Sequence, residues 1–166
     1  MRRVILAMMM VIGPVSVQAK EELPRLAQLT QVQAFLAANA ALAQCQKDGY
    51  NVAVAVVDRA GVVLAQLRDY RAGAHTIDSS RSKAYTSASL RESTQKLAVL
   101  VSGNSTIHAL GQMNDSILLL GGGFPIKLHG DVVGGIGVGG APGTSLDEKC
   151  ARAGLAAIEA DRFEQH

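Results

Sequence analysis

Histidine and cysteine, which can bind a metal or carry a proton, are few and widely spaced in this sequence. The histidines and cysteines are His75, His108, His129, His166, Cys45 and Cys150. The two cysteines form no zinc motif. The chain also lacks a G-x-S-x-G nucleophile elbow, an H-E-x-x-H pair and a G-K-S or G-K-T phosphate loop. No single motif assigns a reaction, so a site must be sought among groups of side chains.

The group best suited to chemistry surrounds His75. Arg81 and Lys83 follow it on a predicted helix. Cations bind a small carboxylate through charge-assisted hydrogen bonds, and an imidazole transfers a proton near neutral pH. These residues support the hypothesis of a cofactor-free lyase or isomerase acting on a small organic acid. A metal site shared by His75, His108 and His129 is a separate hypothesis, although their spacing shows no ligand pattern.

The elements that would position these residues are short apolar strands and helices. Helical spacing begins after Thr30 and ends at Gly49, and it recurs over 76–90 and 93–100. Residues 101–115 are predicted to form a loop, with a helical turn as the alternative for part of it. A capping box of Ser145 and Glu148 opens a last helix that ends near Phe163. Five strands are predicted, at 51–58, 62–67, 116–120, 126–129 and 132–138. Hairpins without regular crossover helices predict an α/β (α+β) domain with an antiparallel sheet.

Glycines are concentrated between Gly121 and Gly143. Within a strand, glycine lets another backbone, a helix or a flat ligand approach the sheet closely. A nucleotide site is not predicted, because Gly134, Gly135 and Gly137 lie inside a predicted strand rather than in a turn that leads into a helix.

The N-terminus has the plan of a secretory signal peptide. Arg2 and Arg3 precede an apolar run of about 14 residues, too short to span a bilayer that needs about 20. Cleavage is predicted after Ala19, which makes 1–19 the signal peptide and 20–166 the mature domain. The expected location is therefore the periplasm or the extracellular space, with no membrane insertion after cleavage. The mature chain has 14 basic and 14 acidic residues, so nucleic acid is not an expected partner.

Cys45 and Cys150 are each predicted to lie within a helix. In an exported protein the two residues could form one disulfide, which requires their helices to pack side by side. Two buried apolar thiols are the alternative, and the sequence leaves both interpretations open.

Several motifs, in this order along the chain, resemble the GlcG/HbpS family, which includes the PduO C-terminal domain. They are V-V-D-R-A-G from Val56, S-K-A-Y-T from Ser82, G-G-G-F-P-I from Gly121, G-D-V-V-G-G-I-G-V from Gly130 and D-E-K-C-A-R-A-G-L from Asp147. The resemblance spans roughly residues 29–158. One departure is that the family's G-V-S-G ending reads G-V-G-G here, from Gly137, so a serine is missing beside a possible pocket.

The resemblance implies a single domain with a five-stranded antiparallel sheet and helices packed on it, assembled as a homo-oligomer. It also implies an exported haem-binding protein that handles, stores or senses haem. An axial ligand for the iron is then required. We predict His75 in this role, with a solvated loop histidine as the competing interpretation, and with His129, His108 and Tyr85 as alternative ligands.

The rest of the implied haem pocket is assigned in the same way. Nearby cations would bind a haem propionate: these are Arg71, Arg81 and Lys83. Apolar and glycine residues would form one wall: these are Gly122, Gly123, Phe124, Pro125 and Ile126. Met113 would cover the pocket. A turn packed against the core explains the same wall residues equally well.

Overall fold

A computed structural model describes residues 26–161 of the 166-residue chain. The predicted signal peptide and His166 lie outside the described residues. Between residues 26 and 161, no helix is long and apolar enough to cross a membrane.

Four strands form one antiparallel sheet. They are β1 Ala53–Asp58, β2 Val63–Arg68, β3 Gly123–Leu128 and β4 Asp131–Gly139, in the spatial order β2-β1-β4-β3. Val56 faces Ile136 across β1 and β4, and Ile136 faces Phe124 across β4 and β3. The two predicted hairpins are confirmed, and the central strands come from different hairpins.

The predicted fifth strand, 116–120, is absent from the sheet. Its place would be the outer edge of β3, and other groups already bind there. The Gly123 amide donates to the Thr94 hydroxyl at 2.9 Å, and the Asp161 amide donates to the Lys127 carbonyl at 2.9 Å. The segment instead follows the side of a helix, where the Leu118 amide donates to the Thr86 hydroxyl.

Four α-helices and one 3-10 helix complete the described fold. They are α1 Gln31–Lys47, α2 His75–Leu90, α3 Thr94–Ser102, the 3-10 helix Ser105–Gln112 and α4 Thr144–Ala157. Thr30 caps α1 in a capping box with Gln33. The predicted box at the start of α4 is wrong: Gly143 is the N-cap and makes no side-chain hydrogen bond, so Ser145 lies inside the helix.

The first face of the sheet packs against α1 and α4. Val54 and Val56 point to this face, as do Ile136 and Val138 of β4. Buried alanines of α1 allow the helices to approach one another closely. Cys45 and Cys150 meet between α1 and α4 with their Cα atoms 5.5 Å apart and form a disulfide, so of the two interpretations left open the structure shows the bridge.

The second face of the sheet packs against α2. A Cβ atom at Gly135 would collide with the Ala84 carbonyl, and one at Gly137 would collide with the Ser80 carbonyl. Glycine in β4 therefore brings the α2 backbone directly onto the sheet. Of the three alternatives left open for these glycines, the structure shows close approach of a helix, and α2 rather than a flat ligand covers this part of the sheet.

Candidate functional site

A cleft of about 330 Å³ lies at the N-terminal end of α2. Segments after α1, after β2 and after β4 also contribute to it. Its lining residues are Gly49, Tyr50, Asn51, Arg71, Ala72, Gly73, His75, Thr76, Gly140 and Pro142. The structure thus brings two of the predicted site residues, His75 and Arg71, into one concave site.

The His75 imidazole is exposed at the first residue of α2. It makes no hydrogen bond to any residue between 26 and 161. Its ring lies beside Gly73, where a Cβ atom would come within 2.6 Å of Cε1 and 2.8 Å of Nδ1. The ring has no competing partner in this region, so its nitrogen atoms are available to a metal or a proton.

Arg71 is held in the cleft by the buried carboxylate of Asp69. Asp69 Oδ1 accepts from the Arg71 backbone amide at 2.9 Å and from Arg71 Nε at 3.3 Å. Asp69 Oδ2 accepts from Gln46 Nε2 of α1 at 2.9 Å. Hydrogen bonding by the Arg71 amide, then by Gln46, lowers the pKa of Asp69 to about 2. Asp69 in turn raises the pKa of Arg71, whose guanidinium stays partly exposed toward solvent.

The loop that leads into α2 has further supports. The Asp69 amide donates to the Val52 carbonyl at 2.9 Å, and the Ala72 amide donates to the Asp69 carbonyl at 2.9 Å. Arg68 donates to the Ala72 carbonyl. The loop is therefore bound to the residue that precedes β1 and to α1, so Arg71 and His75 lie on a turn with several backbone and side-chain hydrogen bonds.

Lys83 has a different environment from the one predicted. Its side chain is 2% exposed, and Nζ contacts Asp147 Oδ2 at 2.9 Å and the Val138 carbonyl at 2.9 Å. Gly122 and Gly123 pack beside it, because Cβ atoms there would collide with Lys83, Val138 or Asp147 atoms. Lys83 and these two glycines thus belong to the interior and do not line the cleft, since the ammonium group is already fully engaged.

The predicted apolar wall is also interior. Phe124 and Ile126 point into the main core, Pro125 is buried in β3, and the Arg152 guanidinium lies 4.4 Å from the centre of the Phe124 ring. They were expected to line a pocket, but Phe124 and Ile126 belong to the core cluster that also contains buried residues of α1 and α4. Tyr50, Ala72 and Pro142 supply the apolar part of the cleft instead.

Arg81 and Tyr85 lie further along α2 and do not line the cleft. Arg81 Nη1 is 3.5 Å from the Ser116 hydroxyl. The half-buried Tyr85 ring packs against Gly61 in the β1–β2 turn, where a Cβ atom would be 2.7 Å from Cε2. Neither side chain therefore shares the surface region of His75.

The remaining candidates are spread over the surface. His129 is exposed in the β3–β4 turn with φ 53°, His108 is exposed on the 3-10 helix, and Met113 is 66% exposed after it. Among residues 26–161, no group of three or more His, Cys, Asp or Glu side chains is placed to hold a metal ion. The shared three-histidine site is therefore not found in this region.

Sequence reasoning missed the cleft residues Asn51, Gly140 and Pro142. It also missed Asp69, which holds Arg71 without lining the cleft. Gly140 has φ +130°, and its backbone packs against the Asn51 carbonyl and Thr76. The departure from the family pattern at Gly139-Gly140 was the available signal, because it marked this loop as a place beside a pocket. Nothing local in the sequence shows that the loop meets Arg71 and His75.

The fold and the cleft define a class of small α+β domains with four antiparallel strands, and comparison with known proteins gives the family. Residues 29–156 match the HbpS-like family, described as "Haem degrading protein HbpS-like". The chain belongs to this family. Over 117 residues it is 32% identical to an uncharacterised 15.0 kDa protein of the dhaT-dhaS intergenic region of Citrobacter freundii, covering 70% of this chain and 82% of that protein.

Solved structures agree with the family assignment. A double mutant of HbpS from Streptomyces reticuli is 40% identical, with a TM-score of 0.76 over 88% of this chain and 97% of that one. Protein ORFY of Klebsiella pneumoniae is 26% identical, with a TM-score of 0.78 over 87% and 100% of the two chains. A PduOC:haem complex shares the fold at 22% identity, with a TM-score of 0.76 over 83% and 100%.

Proposed function

We propose that this protein binds haem in the cleft at the start of α2, with His75 as the axial ligand and Arg71 as the partner of a propionate. The observation that carries the proposal is an exposed imidazole without a hydrogen-bond partner between residues 26 and 161, in the same cleft as a positioned guanidinium. Membership of a family described as haem degrading supports haem as the ligand.

The donor set of the cleft fits haem, and its size limits how haem would bind. Imidazole is a normal axial ligand, and a guanidinium binds a carboxylate strongly. When bound, haem would supply a redox-active iron. The cleft, at about 330 Å³, is at the lower end of ligand pockets, which span about 300–1,000 Å³. It would hold one edge of the macrocycle and leave the rest outside, in solvent or against a second copy of the chain.

The size of the cleft also favours a second candidate, a small organic acid. Arg71 would bind the carboxylate and His75 would transfer a proton, so that Arg71 takes the place that the lyase or isomerase hypothesis gave to Arg81 and Lys83. Lys83 and Arg81 take no part in this version, because neither lines the cleft. A carboxylate that competes with hemin would support this candidate.

We also propose that the protein is exported and self-associates. Export is supported by the disulfide, because disulfides persist mainly in oxidising compartments. Self-association is supported by exposed apolar side chains on α1, where Val32, Phe35 and Leu36 project from a helix whose first charged residue is Lys47. Fractionation of the native cells and light scattering of the purified protein test the two proposals separately.

The haem proposal is tested by titrating the mature protein with hemin and recording the Soret band. His75→Ala is expected to lose the saturable spectral change, whereas His108→Ala, which removes an equally exposed imidazole, is expected to retain it. Arg71→Ala is expected to weaken binding about tenfold, the typical effect of losing a hydrogen bond to a charged group. Equal titrations of wild type and His75→Ala would exclude His75 as the ligand.

A further inference from the structure

We propose that the buried pair Lys83–Asp147 is a positioning device for the cleft, and that it fixes the wall formed by Gly140–Pro142. The inference builds on the proposed function, because it concerns the same cleft, but it assigns a role to two residues that do not line it. Both side chains are remote from solvent, with 2% and 5% of their area exposed.

The wall depends on Asp147 for its hydrogen bonds. Asp147 Oδ1 accepts from the Ala141 amide at 3.0 Å, and the Gly140 amide also faces the carboxylate. The segment lies between β4 and α4 and has no regular secondary structure. Within residues 26–161 its amides have no other acceptor. The Asp147 carboxylate is therefore what defines the path of this loop.

Lys83 fixes Asp147 from the opposite side of the sheet. Its Nζ lies 2.9 Å from Asp147 Oδ2 and 2.9 Å from the carbonyl of Val138, which is the second-last residue of β4 and lies two residues before Gly140. One ammonium group thus ties the middle of α2 to the end of β4 and to the start of α4. The wall Gly140–Pro142 connects two of these elements, β4 and α4.

The other side of the wall reaches the cleft. A Cβ atom at Gly140 would lie 2.7 Å from the Asn51 carbonyl and 3.2 Å from Thr76 Cγ2. Thr76 directly follows His75, and its hydroxyl donates to the Gly73 carbonyl at 2.7 Å. A shift of the loop would therefore change its packing against Thr76, and so the position of the first turn of α2 that carries His75.

A buried ion pair is a costly way to gain stability, because desolvation offsets most of the attraction between the charges. A carboxylate offers something that an apolar pair does not: two oxygens can accept from an ammonium and from backbone amides at once. The arrangement here uses both oxygens in this way. The geometry of the Lys83–Asp147 pair therefore fits a role in positioning the wall Gly140–Pro142 better than a role in filling the core.

The test compares Asp147→Ala with Thr94→Val, which removes another buried side-chain acceptor from a backbone amide, that of Gly123. Thr94 does not line the cleft. Asp147→Ala is expected to speed hydrogen exchange of the Ala141 amide at least tenfold and to weaken hemin binding about tenfold. Thr94→Val is expected to speed exchange at Gly123 and to leave hemin binding within about twofold.

Two further variants keep the test decisive if Asp147→Ala does not fold. Lys83→Met leaves an unpaired buried carboxylate and is expected to weaken hemin binding. The double variant Lys83→Met with Asp147→Asn removes both charges and retains an oxygen for the Ala141 amide, so binding is expected to return to within about threefold of wild type. The double variant thus separates loss of position from loss of charge.

The results distinguish the inference from the proposed function. If wild type does not bind hemin, the haem proposal fails, and exchange at Ala141 still tests the positioning role. Unchanged exchange at Ala141 in Asp147→Ala would overturn the inference. A loss of hemin affinity in Thr94→Val equal to that in Asp147→Ala, at equal loss of melting temperature, would also overturn it, because both effects would then reflect stability alone.

Discussion

At the scale of single residues, the proposed haem site depends on how the His75 imidazole is positioned. The imidazole lies over a glycine, and its neighbour in the cleft is a guanidinium held by a buried carboxylate. The sequence predicted His75 and Arg71, because their types and closeness along the chain suggested a ligand site. It could not predict Asp69 or Gly73, since their roles depend on contacts with α1 and on the rotamer of the histidine.

Gly73→Ala tests the presentation of the imidazole. The added methyl group would overlap the His75 ring and displace it, while Gly73 has an ordinary backbone conformation that alanine tolerates. Hemin affinity is expected to fall about three- to tenfold with a change in unfolding free energy of less than about 1 kcal/mol. Gly103→Ala is the control, because its methyl group would make ordinary contacts. Equal hemin affinity in wild type and Gly73→Ala would show that the ring position is unimportant.

Asp69 predicts an acid-dependent loss of stability. Folding lowers its pKa from 3.8 to about 2, so the ionised carboxylate stabilises the fold above pH 3.8. This contribution to stability is lost as the pH falls from 3.8 toward 2. The melting temperature of wild type should therefore fall more steeply between pH 4 and pH 2 than that of Asp69→Asn, and the two curves should converge. Parallel curves over the same range would contradict the role given to Asp69.

At the scale of elements, the contact between α2 and β4 organises the molecule. The glycines of β4 predict a place of close approach to the sheet, but nothing in the sequence shows whether a helix or a ligand approaches. The structure shows the helix. The same distinction explains the predicted fifth strand. Residues 116–120 are apolar enough for a strand, yet the edge they would join is taken by Thr94 and Asp161, which are distant along the chain.

Gly137→Ala tests this contact. A methyl group there would meet backbone atoms of Ser80 and Ala84 in α2. Backbone atoms within a helix cannot move aside as the end of a flexible side chain can. We expect the free energy of unfolding to fall by about 1–3 kcal/mol or more, the usual effect of overpacking a core. Chemical denaturation measures this loss, with Gly103→Ala as the control for glycine replacement. A loss no larger than that of the control would mean that α2 lies further from the sheet.

At the scale of the whole molecule, the sequence predicted the α+β class, both hairpins and three of the four α-helices to within a few residues of their bounds. It also identified the two cysteines of the disulfide, although it left open whether the bridge forms. These features depend on local patterns. The site could be predicted only in part, because Gly122–Pro125 and Lys83 were assigned to a pocket and are buried instead. Which face of a strand or helix is covered is decided by packing between distant segments, and no local pattern records that outcome.

The disulfide predicts a large effect on global stability. It joins residues 105 positions apart and binds α1 to α4. Its removal in the double variant Cys45→Ala with Cys150→Ala is expected to lower the free energy of unfolding by about 2–5 kcal/mol. Denaturant titration measures this change, and thiol counting in denaturant without reductant checks the bridge in wild type. Two free thiols in protein from an oxidising compartment would contradict the bridge.

The central claim is that haem binds at the start of α2, and a crystal structure of the hemin-loaded mature protein tests it most directly. We expect iron bonded to a nitrogen of His75, with one propionate against Arg71 and part of the macrocycle outside the cleft. Iron bonded to another residue, such as His108 or His129, or haem bound away from the cleft would contradict it.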